Sequence, residues 1–478
     1  MKPPLYVDLD GTLIRADTMQ QASLLLLRDH PWQAIRALLA MRHGRHAAKD
    51  IVAAHVTLDA AHFPYRTAVL DYVRDAKAQG RRVILATGSH KRYADAVAAH
   101  VGIFDAVMAT EKEINLIGPH KLEQIRADCG EDGFEYLGDS GADIVIFEAS
   151  HTAGMVGGRR FQPLTNAKVS VHQLGHLHNN RLPDLIRLLR PHQWVKNVLV
   201  FLPLFASHRL DEARLVLATI ATFIIFSLIS SANYILNDLF DCETDRRHPA
   251  KRDRPIASGA VTIPRAILLS AVLMAAGLIG AALVTLPLLW VMLSYLLLAN
   301  LYSFQLKRRL LVDVIALAGM YTLRPIAGGA ATAFAELPIV LSTWLLAFCM
   351  FFFACIAFAK RYTELRMQVS ELPQTPLPGR GYQTADLDIL RVVGPVNGYL
   401  AVMVIALYIS SPAVKTLYAR PEILWLICPV LGYWLTRLWF LAHRGVLHDD
   451  PVVFALKDAK SYLAVGVCLA IGIAASVF

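Results

Sequence analysis

Asn237-Asp238-Leu239-Phe240-Asp241-Cys242-Glu243-Thr244-Asp245 follows directly on an apolar run at 215–236, and that adjacency decides how the chain folds. About 20 predominantly apolar residues suffice to cross the hydrocarbon core of a bilayer. The run ends in aspartates three and four positions apart, a spacing that predicts Asp238, Asp241 and Asp245 on one helix face. Three carboxylates on one face repel unless a cation sits among them, and Mg²⁺ held by carboxylates plus substrate phosphates is the economical choice. An ordinary solvated helix end is the alternative. His248-Pro249-Ala250-Lys251-Arg252-Asp253-Arg254-Pro255-Ile256-Ala257-Ser258-Gly259 comes next and places cations suited to phosphate, Lys251 and Arg254, beside the acids. Lys251 and Arg252 also serve as plain topological anchors.

Outward from this loop, apolar segments of membrane-crossing character lie near 196–208, 215–236, 265–284, 286–304, 311–331, 337–358, 395–412, 423–443 and 460–478. About nine transmembrane helices are therefore expected, in an all-α polytopic membrane domain. Basic residues mark every alternate connection: Arg187, Arg190 and Lys196 before the first, Arg246 to Arg254 after the second, Lys307 to Arg309 after the fourth, Lys360, Arg361 and Arg366 after the sixth, Arg444 and Lys457 after the eighth. By the positive-inside rule those connections are cytosolic, which puts the C-terminus on the opposite side. The net charge of +9 thus belongs to topology. Nucleic-acid binding would need a basic face on a soluble domain, and no such face is indicated. The six cysteines form no CxxC pair, so neither a disulfide framework nor a zinc site is expected. Oligomeric state leaves no mark in the sequence.

Residues 1–160 read differently, as an α/β domain. Apolar runs of strand length (Leu5-Tyr6-Val7, Val83-Ile84-Leu85, Ala106-Val107-Met108, Glu135-Tyr136-Leu137) alternate with helical patterns, the clearest from Thr67 to Gln79, which predicts a mostly parallel sheet. The stretch from Thr18 to Phe63 has no strand signal and reads as a helical insertion able to cap a site. No signal peptide precedes Asp8, so this domain is expected in the cytosol. Residues 161–182 are polar and aperiodic and are expected to be a linker to the membrane domain at 183–478.

Val7-Asp8-Leu9-Asp10-Gly11-Thr12 sets two carboxylates just beyond a strand, one placed to attack phosphorus and the other to protonate a leaving oxygen. The same string also describes a capped turn. Thr87, in Leu85-Ala86-Thr87-Gly88-Ser89, ends a strand with a hydroxyl suited to phosphate. Lys121 offers a cation, and Gly138-Asp139-Ser140-Gly141-Ala142-Asp143 supplies two more carboxylates after a strand, suited to Mg²⁺.

These four segments, in this order over residues 4–160, closely resemble the haloacid dehalogenase-like phosphatase superfamily (HAD), a Rossmann-like α/β fold with a helical cap. The resemblance implies Asp8 as nucleophile, Asp10 as general acid/base, Thr87 and Lys121 as phosphate ligands, and Mg²⁺ among Asp8, Asp10 and Asp139 near Asp143. Residues 183–478 resemble the UbiA superfamily of intramembrane prenyltransferases, whose NDxxDxxxD motif matches Asn237, Asp238, Asp241 and Asp245 and whose RPxxSG motif matches Arg254 to Gly259. Most members carry a second Asp-rich motif after a later span; here Lys360-Arg361-Tyr362-Thr363-Glu364-Leu365 stands in that place. That departure is similar to one branch, the decaprenyl-phosphate phosphoribosyltransferases, as are Arg190-Pro191-His192-Gln193-Trp194-Val195-Lys196-Asn197, Tyr302-Ser303 with Lys307, and Asp313 with Arg324.

The branch implies Mg²⁺-dependent transfer of 5-phosphoribose from phosphoribosyl diphosphate to a polyprenyl phosphate lipid, in a bacterial inner membrane. Three phosphate-bearing groups call for many cations, and Lys196, Lys251, Arg254, Lys307, Arg324, Lys360 and Arg361 are the candidates. Asp313 and Arg324 fall on roughly one helix face, where they either meet the ribose or pair with each other. The fused phosphatase is expected to remove the 5-phosphate from the product. An aromatic prenyltransferase and a membrane-anchored phosphatase are the alternative readings.

Overall fold

The computed structural model describes residues 3–111, 115–130, 133–157, 170–174, 182–371, 380–447, 451–455 and 457–477. The chain divides into two compact units, one of Met1–Leu189 with Tyr234–Ala271 and the other of Arg190–Asn233 with Val272–Phe478.

The first unit is built on six strands: β1 (Leu5–Val7), β2 (Val83–His90), β3 (Ala106–Thr110), β4 (Glu135–Gly138), β5 (Thr152–Val156) and β6 (Ser170–Leu174). All pair in parallel, in the order β3-β2-β1-β4-β5-β6. Leu5, Tyr6 and Val7 are fully buried because β1 is covered on both faces, which is why it reads as an unbroken apolar run. Leu5 and Val7 join the core of Val69, Val73, Leu85 and Val97. Tyr6 joins that of Ile84, Tyr136 and Phe147 on the other face. Chain order reverses beside β1, between its neighbours β2 and β4, and a sheet of this kind opens its crevice at the carboxyl end of the strand where that happens. Asp8 stands there.

The insertion between β1 and β2 is helical, as expected, with helices Thr18–Asp29, Pro31–Ala40 and Arg45–His55. Helix Thr67–Ala78 buries Val69, Val73 and Ala76 along one stripe. One difference concerns residues 161–182. Within that stretch β6 pairs with β5 from Thr152↔Ser170 to Val156↔Leu174, so the sheet continues where a linker was expected; residues 161–169 and 175–181 lie outside the described residues. The ladder is local to β5 and carries no apolar alternation strong enough to read from sequence.

Among the described residues, seven helices are long and apolar enough to cross a membrane: Ala213–Phe240, Ile263–Val284, Leu286–Phe304, Thr343–Gln368, Thr384–Ile409, Pro421–Arg444 and Ala459–Ser476. They match seven of the nine expected segments. The fifth segment is a helix too, Val312–Ala330, but it carries Asp313, Arg324 and Pro325 and so falls short in apolarity. The first, 196–208, departs from the expectation of a continuous helix. Pro191–Phe201 winds as a 3₁₀ helix after Arg190 takes a left-handed φ of 53°, and a short helix Leu202–Ala206 follows. Pro203 has no amide with which to carry an α-helical ladder through the junction.

Candidate active sites

Asp8 leaves β1 into a buried polar cluster. Lys121, from helix Pro119–Cys129, reaches Asp8 Oδ1 at 2.9 Å, Tyr136 OH at 2.8 Å and Asp143 Oδ1 at 3.4 Å. Tyr136 OH donates to Asp143 Oδ1 at 2.7 Å, while Ser140 Oγ donates to Asp143 Oδ2 at 2.6 Å. The carboxylates of Asp8, Asp139 and Asp143 lie within 4.8 Å of one another, the only such acidic group among the described residues. That spread and an all-oxygen donor set fit Mg²⁺. Gly11 takes a φ of +77°, and a Cβ there would sit 2.2 Å from Asp139 Oδ2, so only glycine allows both the turn and the carboxylate beside it.

Asp10 is held apart from that cluster. It accepts from the Thr18 amide at 2.8 Å, from Thr18 Oγ1 at 3.1 Å and from Ser89 Oγ. Burial and the charge of Asp17 push its carboxyl up to about 8, so it keeps a proton near neutrality. Burial, then the charges of Asp8 and Asp143, push Asp139 up to about 7. Thr87 is buried within β2, which runs on to His90 rather than ending at Thr87 as expected, and it accepts from the Ser89 amide at 3.1 Å. Asp8, Asp10, Thr87, Lys121, Asp139 and Asp143 all line one cavity of about 540 Å³. The structure therefore brings the whole expected phosphatase set together. Thr18, Ser89 and Tyr136 escaped sequence reasoning; Ser89 stood inside the segment read for Thr87, and the roles of the other two exist only once strands and cap are assembled.

The acidic loop is arranged otherwise than expected. Helix Ala213–Phe240 stops short of Asp241, whose φ of −92° and ψ of 3° make it the cap of a second helix, Cys242–Arg247. The amides of Asp241 and Asp245 still bond to the carbonyls of Asn237 and Asp241 at 2.9 and 2.8 Å, so the path bends rather than unwinds. Asp238 and Asp245 are buried and share one guanidinium: Arg254 Nη1 lies 3.1 Å from Asp238 and 2.6 Å from Asp245. The three aspartates are thus not gathered within reach of one ion; Arg254 neutralises two of them. Lys251 is half-buried at the turn, its amide bonded to His248.

In the second unit Asp313 and Arg324, expected either to meet the ribose or to pair with each other, do not pair. Asp313 accepts from Arg361 Nε at 2.5 Å and from Tyr382 OH at 2.6 Å, all three fully buried. Arg361 also donates to Tyr302 OH at 2.8 Å and binds Glu364, and Arg380 reaches the same Tyr302 OH at 3.0 Å. Arg324 instead donates to Asn197 Oδ1 at 3.0 Å and lies 5.0 Å from the ring centres of Phe226 and Tyr321. The ammonium of Lys196 is 5.8 Å from the Tyr321 ring centre. Lys307 sits on the 3₁₀ turn Leu306–Arg308, and Lys360 precedes Arg361 on the helix Thr343–Glu371. Asn197, Tyr382 and Arg380 are the additions that sequence reasoning did not single out as binding groups.

Comparison with known proteins agrees with both halves. Residues 5–147 match the haloacid dehalogenase-like hydrolase model, and residues 198–460 that of the UbiA prenyltransferase family. The chain is 36% identical over 466 residues to the uncharacterized protein y4nM of Sinorhizobium fredii, covering 96% of this chain and 89% of that one. It is 32% identical over 276 residues to the nodulation protein NoeC of Azorhizobium caulinodans, covering 58% of this chain and 88% of that one. A decaprenyl-phosphate phosphoribosyltransferase of Mycobacterium tuberculosis is 39% identical over 192 residues, 39% of this chain and 62% of that one. The chain belongs to the UbiA prenyltransferase family, as a membrane transferase fused to an N-terminal haloacid dehalogenase-like domain.

Proposed function

We propose that the membrane domain transfers 5-phosphoribose from phosphoribosyl diphosphate to a polyprenyl phosphate, and that the phosphatase domain removes the 5-phosphate from the lipid product. The carrying observation is Arg361: where a second acidic metal motif would stand, a fully buried guanidinium is fixed by Asp313 and Tyr302. Such a position suits an anionic or sugar-bearing ligand better than a second metal–diphosphate pair. Tyr302 OH, accepting from both Arg361 and Arg380, keeps its own proton for an outward donation to a ligand oxygen. The similarity to decaprenyl-phosphate phosphoribosyltransferases supports the same reading.

Asp8, Asp139, Asp143 and the Asp10 carbonyl would hold Mg²⁺ in the phosphatase domain, whereas Asp238, Asp241 and Asp245 would hold it only once Arg254 has left Asp238 and Asp245; bound there, the ion would neutralise charge on phosphoryl oxygens. Arg254 exchanges its two aspartates for a donor phosphate, with Lys196, Asn237, Lys251, Lys307, Arg324 and Lys360 as further binding groups. An acceptor phosphate oxygen bonds to C1 of the ribose as diphosphate departs. In the phosphatase, Asp8 attacks phosphorus and the protonated Asp10, steadied by Thr18 and Ser89, gives its proton to the leaving ribose oxygen. Water then releases phosphate from Asp8. The phosphatase domain lies on the cytosolic side of the inner membrane, and tethering concentrates it near a membrane-bound product.

Full-length protein in nanodiscs, given Mg²⁺, labelled phosphoribosyl diphosphate and a polyprenyl phosphate, should yield labelled lipid. Absence of labelled lipid, with prenyl transfer from a prenyl diphosphate to an aromatic acid instead, would replace this reading by that of an aromatic prenyltransferase.

A further inference from the structure

Asp10, Asp17, Gln20, Asp139 and Ser140 line the catalytic cavity and also a second one of about 620 Å³ within the same compact unit. The far wall of the second cavity comes from the transferase sequence. Arg246, Ile256, Gly259 and residues 261–265 form it, directly downstream of the acidic loop.

Three fixtures tie that wall to the phosphatase fold. Arg246 donates to Gln21 Oε1 at 2.6 Å and to the Ala257 carbonyl at 2.8 Å. Arg28 donates to the Phe240 carbonyl at 2.8 Å. Gly259, at a φ of +72°, lies so near Arg15 that a Cβ on it would be 2.1 Å from the Arg15 carbonyl oxygen. Contact of that kind is built into the backbone and leaves no room for a side chain.

Charge in this cavity is one-sided. The acids Asp10, Asp17 and Asp139 belong to the side shared with the catalytic cavity, whereas Arg15, Arg246 and Arg265 are the cations lining the remainder. Arg15 Nε is buried and has no hydrogen-bond partner. A buried guanidinium N–H without an acceptor is costly, and a phosphate oxygen is the acceptor that matches its fork.

We infer that this cavity is the second half of the phosphatase substrate site and holds a second phosphate, so that the substrate is a pentose phosphorylated at two positions. The monoester meets Asp8; the other phosphate, which in the lipid product joins the sugar to its polyprenyl chain, meets Arg15 and Arg265. The inference rests on the reading above that the phosphatase acts on the transfer product, and deepens it by assigning selectivity for that product to residues of the transferase sequence.

The test uses the full chain in nanodiscs with Mg²⁺ and two soluble probes, ribose 5-phosphate and ribose 1,5-bisphosphate, and reads release of the 5-phosphate. The bisphosphate should have the higher kcat/KM by about tenfold or more, the scale of one charge-assisted hydrogen bond, and chiefly through KM. Arg265→Ala should reduce that ratio to below about threefold, and Arg265→Lys, which keeps the charge without the fork, should fall between. Equal kcat/KM for the two probes, or a ratio that survives both substitutions, overturns the inference. If Arg265→Ala fails to fold, Arg265→Lys and the wild-type ratio decide alone. Phosphoribosyl transfer assayed in parallel separates the two readings: transfer without probe preference refutes only the cavity, and probe preference without transfer refutes only the transferase assignment.

Discussion

Lys121→Met removes the one ammonium from a cluster in which Lys121, Asp8 and Asp143 have side chains only 5%, 9% and 2% exposed. Breaking a buried pair by deleting one partner costs about 3–5 kcal/mol, because the charge left behind has lost both water and its counter-ion. The deficit should depend on pH. Burial pushes Asp8 up to about 6, and the charge of Lys121 is the chief influence opposing it, so without Lys121 the carboxyl rises further. A group whose folded pKa exceeds its unfolded value stabilises the fold below the unfolded pKa and loses that contribution as pH rises through the folded one. In the wild type the loss is complete a little above pH 6; in the variant it continues upward at about 1.4 kcal/mol per pH unit. At roughly 2–4 °C per kcal/mol for a domain of 150–250 residues, a 3 kcal/mol deficit lowers Tm by about 6–12 °C at pH 8. At pH 6, where Asp8 can neutralise itself, the gap should shrink by half or more. Differential scanning fluorimetry of the full chain in nanodiscs, with divalent metal chelated, measures both. A gap under about 2 °C, or one of equal size at the two pH values, would refute the arrangement of charges described for this cluster.

Asp8→Asn should abolish Mg²⁺-dependent phosphate release and, in the coupled reaction, leave the lipid-linked sugar still phosphorylated; thin-layer separation of the labelled lipids distinguishes the two forms, and unchanged products would remove Asp8 as nucleophile. Asp313→Asn should destabilise the membrane domain by about 1–3 kcal/mol and suppress transfer, since it leaves the fully buried Arg361 with Glu364 as its one remaining carboxylate; thermal unfolding of the variant in nanodiscs checks it. Gly259→Ala should expose residues 234–271 to protease while the 5–147 fold stays protected, because the new methyl meets the Arg15 backbone and the left-handed turn adds about 1 kcal/mol of strain.

The two-fold architecture was legible because its signals are local. An aspartate after a short apolar run, a hydroxyl after another and a glycine-flanked acid pair after a third lie in or just beyond the carboxyl-terminal halves of β1, β2 and β4, which the parallel sheet then sets side by side. Spacing along a helix was less reliable for charged partners. Asp313 and Arg324 share a face, yet Asp313 bonds to Arg361 and Tyr382, 48 and 69 positions away, because helix packing chooses partners that periodicity does not list. Arg254 reaching back to Asp238 and Asp245 was hidden for the same reason: the bend at Asp241 and the turn after His248 set that geometry. The break between Pro191–Phe201 and Leu202–Ala206 had visible marks in Pro191 and Pro203, but the apolar side chains alone read as a span.

The border between the compact units is crossed three times by the chain, after Leu189, after Asn233 and after Ala271. Synthesis therefore completes the phosphatase sheet long before the segment that walls its second cavity exists. Some 80 residues separate Leu189 from Ala271, and at about 5–20 residues per second the ribosome needs roughly 4–16 s to supply them. In that interval Arg15, Gln21 and Arg28 face solvent without the carbonyls and side chains that later fix them. The first transmembrane insertions thus fall inside the maturation time of the sheet-bearing unit, which takes in the end of the 213–240 helix and the start of the 263–284 helix, and a delay in inserting the 213–240 helix becomes a delay in completing a hydrolase.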